Sequence, residues 1–119
     1  MDKTIALILG VLAVAAPALG AADGRIRLAV VPSTVAPGGA IRVVGNADGC
    51  PRGDTVFAIS RAFPGRQFGA AGALTGRVAR SGAFSIRGRV RARIARGRYV
   101  VTARCGGGNL GVAAYVRIR

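Results

Sequence analysis

From residue 25 onward, apolar side chains recur at every second position of this chain. Period two is the repeat of an extended strand, whose successive side chains point to opposite faces. Residues 25–30 place Ile26, Leu28 and Val30 on one face, and residues 40–45 place Ile41 and Val43 inward with Arg42 outward. Residues 55–60 are apolar on both faces, which predicts a central strand. Residues 74–79 form a short strand, and residues 83–91 a longer one with Phe84, Ile86 and Val90 inward. Residues 98–105 align Tyr99, Val101, Ala103 and Cys105, and residues 110–118 align Val112, Ala114, Val116 and Ile118. Turn residues punctuate these runs at Pro37-Gly38-Gly39, Ser81-Gly82 and Gly106-Gly107-Gly108. Residues 61–73, rich in Gly and Ala, show no period and read as a long connection.

The first 22 residues obey another pattern. An apolar run over residues 4–20 follows Lys3 and ends in the small residues Ala18-Leu19-Gly20-Ala21-Ala22. This is the layout of a signal peptide, whose apolar segment is helical, with cleavage after Gly20, Ala21 or Ala22. The run is shorter than the roughly 20 residues of a spanning helix, which argues against the alternative of a retained membrane anchor. No cysteine near that site offers a lipid anchor, and Tyr115-Val116-Arg117-Ile118-Arg119 is not an apolar tail. The expectation is a signal peptide over residues 1–22 and one secreted, extracellular domain over residues 23–119, released or held at the envelope by non-covalent contacts alone.

Seven short alternating strands point to an all-β, immunoglobulin-like antiparallel β-sandwich. The chain has two cysteines, Cys50 and Cys105, and export permits their pairing, which is then forced. Cys50 follows the second expected strand and Cys105 ends the sixth. In such a sandwich those positions lie at the same end, so a disulfide joins a loop to a strand end. A metal site is not expected, because the chain has no His and no Glu to complete one.

The segment Val30-Val31-Pro32-Ser33-Thr34-Val35-Ala36-Pro37-Gly38-Gly39, followed by a strand and by Gly49-Cys50-Pro51-Arg52-Gly53, resembles the opening of small immunoglobulin-like domains secreted by high-GC bacteria. Gly97-Arg98-Tyr99-Val100-Val101, leading into Cys105-Gly106-Gly107, is similar to their closing strands. The resemblance covers nearly all of the chain past the leader. It implies an extracellular binding or structural role, and it brings no catalytic residues with it.

Catalysis finds little to work with. The absence of His removes Ser-His-Asp and Cys-His arrangements. Past the leader the side-chain carboxylates are Asp23, Asp48 and Asp54. A glycosidase pair would have to use Asp48 and Asp54, but Asp48-Gly49 reads as a turn and Asp54 as a partner for arginine. Two carboxylates seldom fill the six or more oxygen positions of calcium. The Gly106 run lacks the Lys and following helix of a phosphate loop. No enzyme activity, cofactor or small-molecule substrate is expected.

Charge is the unusual feature. The net charge is +14, and 17 of the 18 basic residues are arginine. Near-absence of Lys is also what a GC-rich genome encodes, and a solvated cationic face discourages aggregation. Yet Arg87, Arg89, Arg91 and Arg93 recur every second residue and share a face if the strand continues. With the first, second, fourth and fifth expected strands in one sheet, the outward residues are Arg25, Arg27, Arg42, Arg77, Arg87, Arg89 and Arg91. That predicts a polyanion-binding face for anionic cell-envelope polymer. Sequence-specific reading of nucleic acid is not expected, since few aromatics are placed for stacking. An alternative is a structural or accessory domain acting through a protein partner at the Phe63–Phe68 connection, where the two rings are expected to form a lid over the core.

Overall fold

The computed structural model describes residues 27–119 other than Asp48 and Gly107. The expected signal peptide and its helix, Arg25, Ile26 and the Asp48 turn therefore lie outside the described residues. The described residues are all-β, with the strands β1 (Arg27–Val31), β2 (Thr34–Val35), β3 (Ala40–Asn46), β4 (Thr55–Ser60), β5 (Gly72–Arg77), β6 (Ala83–Arg89), β7 (Gly97–Cys105) and β8 (Gly108–Ile118). They form a three-stranded sheet in the order β1-β3-β6 and a five-stranded sheet in the order β2-β8-β7-β4-β5.

The alternation read from the sequence is what joins the sheets. Ile41 and Val43 of β3 and Phe84 and Ile86 of β6 face Val56 and Ala58 of β4, Val101 and Ala103 of β7, and Val116 and Ile118 of β8 in one buried core. The larger sheet curls until both margins meet the smaller one, β8 beside β1 and β5 beside β6. β4 is flanked by β7 and β5, the central position its two apolar faces predicted.

Two features depart from the expected layout. The first run is broken by Pro32, which has no amide hydrogen to donate, and β2 resumes on the other sheet, parallel to β8. There are thus eight strands among the described residues, where seven were expected. The larger correction concerns the strand expected at residues 74–79, in one sheet with residues 25–30, 40–45 and 83–91. It runs over residues 72–77 and is instead β5, antiparallel to β4 from Thr55↔Arg77 to Ser60↔Gly72. Close approach across the sandwich margin explains the position. A Cβ on Gly76 would lie 2.7 Å from Ile86 Cγ1, and one on Gly88 would collide with Leu74. Each glycine leaves room for the other strand's large side chain.

Cys50 and Cys105 form the expected disulfide, with Cα atoms 6.3 Å apart, and it closes one pole of the molecule. The other pole gathers residues 36–39, 61–71 and 90–96. There Gly38 N donates to Arg91 O (2.9 Å), Arg91 N to Ala62 O (2.8 Å), and Tyr99 Oη to Ala95 O (2.8 Å). Phe63 is fully buried as the expected lid. Phe68 is not part of that lid: it lies outside the larger sheet, its ring edge-on to Phe57 at 6.1 Å.

The bridge spans 55 residues, so loop-entropy reasoning gives it about 4 kcal/mol. Urea unfolding of oxidised protein and of a Cys50→Ala/Cys105→Ala variant should differ by about that amount. A difference below about 1 kcal/mol would show that the core alone fixes this pole.

Candidate functional site

The outer face of the three-stranded sheet is built by cross-strand register. Val31 of β1 lies opposite Arg42 of β3, and Arg42 opposite Arg87 of β6. One step along, Ala40 faces Arg89. All five side chains are exposed. Directly opposed residues have Cβ atoms about 4.5–5.5 Å apart, and like charges so placed repel. Arg42 and Arg87 are such a pair, with Arg89 two residues further along the same face.

Hydrogen bonds partly orient these groups. Arg42 Nη1 donates to Ser85 Oγ (3.0 Å), and Arg89 Nη1 donates to Gly38 O (3.1 Å). Neither bond neutralises charge. A depression of about 460 Å³ runs between them, lined by Val31, Ala40, Arg42, Arg87, Gly88 and Arg89. Its lining combines apolar groups with three arginines. Such a surface can present planar, bidentate donors to phosphate or carboxylate oxygens.

The predicted site residues divide as follows. Arg42, Arg87 and Arg89 come together. Arg27 shares the face but is paired with Asn46, four residues from Val31 along the strand, or about 13 Å. Arg25 lies outside the described residues. Arg77 is corrected to the other sheet with β5, where its Nη1 donates to Gly53 O (3.0 Å).

Arg91 is also corrected. β6 ends at Arg89, and Arg91 turns into the 61–71 connection. Its Nε donates to Arg61 O (3.0 Å), and its Nη2 to Gly65 O (2.8 Å) and Ala70 O (3.4 Å). It is a clamp on backbone carbonyls rather than part of the face. The every-second-residue count of arginines extended the strand two residues too far, because β6 yields to the corner that carries Val90 into the core.

The outer face of the larger sheet carries aromatic and cationic groups in alternation. The Arg98 guanidinium sits 4.3 Å from the centroid of Tyr115, and that of Arg104 sits 5.9 Å from Phe68. Such stacking contributes about 0.5–1 kcal/mol at exposed sites. Val100 lies opposite Tyr115, and Phe68, Val100 and Tyr115 are the exposed large apolar groups here. The outward Tyr115 was legible from period two, whereas Phe68 lies in a segment with no period. Among the described residues no group of three His, Cys, Asp or Glu side chains could hold a metal ion.

No family model matches the sequence, and neither does any curated protein. Two solved structures share the fold over 80% of this chain. One is the alkylpurine DNA glycosylase AlkC of Pseudomonas fluorescens bound to DNA containing an abasic site analog, at 23% identity and a TM-score of 0.52. The other is the adhesin InvE of Yersinia pseudotuberculosis, at 17% identity and a TM-score of 0.55. The chain spans only 30% and 28% of the length of these two proteins. The likeness is one of fold.

Clamp and face should separate by stability. Arg91→Ala strips a charged donor from three carbonyls, and should cost about 1.5–3 kcal/mol and speed proteolysis within residues 61–71. Arg87→Ala should leave the unfolding midpoint unchanged or slightly raised, because it relieves repulsion from Arg42. Equal losses in both would mean that Arg87 is structural.

Proposed function

We propose that this protein is a secreted, non-catalytic immunoglobulin-like module that holds anionic cell-envelope polymer on the outer face of its smaller sheet. The observation that carries the reading is the opposed pair Arg42 and Arg87 with Arg89 beside them. Among the described residues the one acidic side chain is Asp54. It is occupied elsewhere, its Oδ2 accepting a hydrogen bond from Gly106 N at 3.2 Å. Among the described residues, therefore, no side-chain carboxylate offsets the repulsion on the face. A polymer carrying one charge per repeat supplies a continuous counter-surface and releases its counterions.

Several features support the immunoglobulin-like and extracellular parts of the reading. The two facing sheets, with β1-β3-β6 in one and β8-β7-β4 adjacent in the other, support a sandwich of this kind. The Tyr99 hydroxyl reaches back to Ala95 O in the manner of their tyrosine corner. The disulfide suits an oxidising compartment, and one structural neighbour is an adhesin. The small number of carboxylates and the lack of His support a non-catalytic role.

A second reading has its own observation. Phe68, Val100 and Tyr115 expose apolar surface on the opposite face, which would suit a protein partner of a structural or accessory domain.

Binding to a teichoic-acid-type polymer, heparin and DNA, titrated with salt, tests the first reading. Affinity should fall steeply as salt rises, and an Arg42→Ala/Arg87→Ala/Arg89→Ala variant should lower the logarithmic salt slope on DNA by about 3. Attraction indifferent to salt, or a slope unchanged in that variant, would overturn it. Capture from the envelope fraction that persists at high salt and is lost in Val100→Ser would favour the second.

A further inference from the structure

The pole opposite the disulfide carries a cationic feature separate from the sheet face. A cleft of about 480 Å³ opens between the 61–71 connection and the 91–96 corner. Arg61, Arg66, Arg91 and Arg93 contribute to its walls, and Tyr99 and Ile94 to its base. Its size is within the range of small-molecule sites.

Backbone bonds set its shape. Arg91 ties the connection to the corner through its amide and through three carbonyls, as described above. Tyr99 fixes the corner through Ala95 O. The guanidiniums of Arg61, Arg66 and Arg93 belong to exposed residues around this fixed frame. No side-chain carboxylate among the described residues is at hand, since Asp54 sits beside Gly106 at the other pole. Four like charges around a concavity focus the field within it, which flat surfaces do not achieve.

Charge and shape together select the ligand. A single carboxylate or chloride would leave most of the four charges unmatched. Two linked phosphates bring about three to four negative charges, at about 1.5–2 each. Their oxygens suit the planar fork of arginine. We infer that this cleft is a binding site for a compact diphosphate group, free or as the end of a larger molecule. The inference goes beyond the sheet-face reading, because it uses other residues and a small ligand.

Calorimetric titration of the purified protein with pyrophosphate and, separately, orthophosphate tests the site. Wild type should bind pyrophosphate at least tenfold more tightly than orthophosphate. Arg66→Ala/Arg93→Ala, which removes exposed groups and should unfold at the wild-type midpoint, should weaken pyrophosphate binding at least tenfold. Arg42→Ala/Arg87→Ala should bind pyrophosphate like wild type. Equal losses in the two double variants would reveal general charge attraction and overturn the site, as would an unaffected Arg66→Ala/Arg93→Ala or no measurable binding. A diphosphate-capped nucleoside that binds as well as pyrophosphate would mark the group as the end of a larger molecule, and one that binds tenfold more weakly would mark the free ion. Wild-type protein that binds pyrophosphate but no anionic polymer would sink only the sheet-face reading, and wild-type protein that binds polymer but no pyrophosphate only this one.

Discussion

Every later feature of this molecule depends on the packing of two half-apolar sheets against one another. Val43 and Ile86 from one side, and Val56, Val101 and Val116 from the other, are almost wholly removed from water. Because strand side chains alternate, burying these residues also decides which residues must point outward. A one-residue slip of β3 against β6 would drive either Arg42 or Arg87 into the core, where unpaired charge is prohibitive. The register that seats the valines therefore creates the arginine pair on the other side. Core and cationic face are two consequences of one alignment.

The arginines then sort by what their guanidinium groups can reach. In a chain with so few carboxylates, the partners at hand are backbone oxygens. Arg52 donates to Arg80 O and Cys50 O, Arg77 to Gly53 O, Arg89 to Gly38 O, and Arg91 to three carbonyls. These contacts exploit the several fixed donors of arginine, which lysine does not have. They order loops where a small apolar core has little reach. They do not cancel charge, so the loops that gain order also become electropositive. The disulfide performs a comparable service at the pole where Asp54 binds Gly106.

Much of this was legible in the sequence, and the remainder was hidden for definite reasons. Strand identity and the inward set Ile41, Val43, Phe84, Ile86, Val101 and Val116 follow from period two, because side-chain alternation is local. Sheet membership is not local. Alternation within residues 72–77 does not say whether this edge strand pairs with β4 or with β6, so it did not place Arg77. The deciding contacts, Ile86 over Gly76 and Leu74 over Gly88, link positions distant in sequence. Arg91 was misplaced for a different reason. Period two continues in residues 87–93, but Arg91 N finds Ala62 O rather than a strand partner. Phe63 and Phe68 show the same limit. Ser60 O accepts from Phe63 N at 3.1 Å and turns that ring inward, while pairing with Ala71 holds Phe68 outside.

The uncancelled charge has a thermodynamic direction. Arg42 and Arg87 are anchored side by side by backbone register and by the core beneath, so their Cα atoms cannot separate without loss of buried apolar contact. At the pole, Arg91 and Tyr99 likewise fix the frame around Arg61, Arg66 and Arg93. Like charge is thus concentrated at two places in the protein. Under the two proposals above, an anion bound at either place would offset that like charge, which favours the complex over the free state. A flexible chain of the same composition would spread its arginines apart and forgo that advantage. The two-sheet scaffold, more than the number of arginines, decides where the positive charge is concentrated.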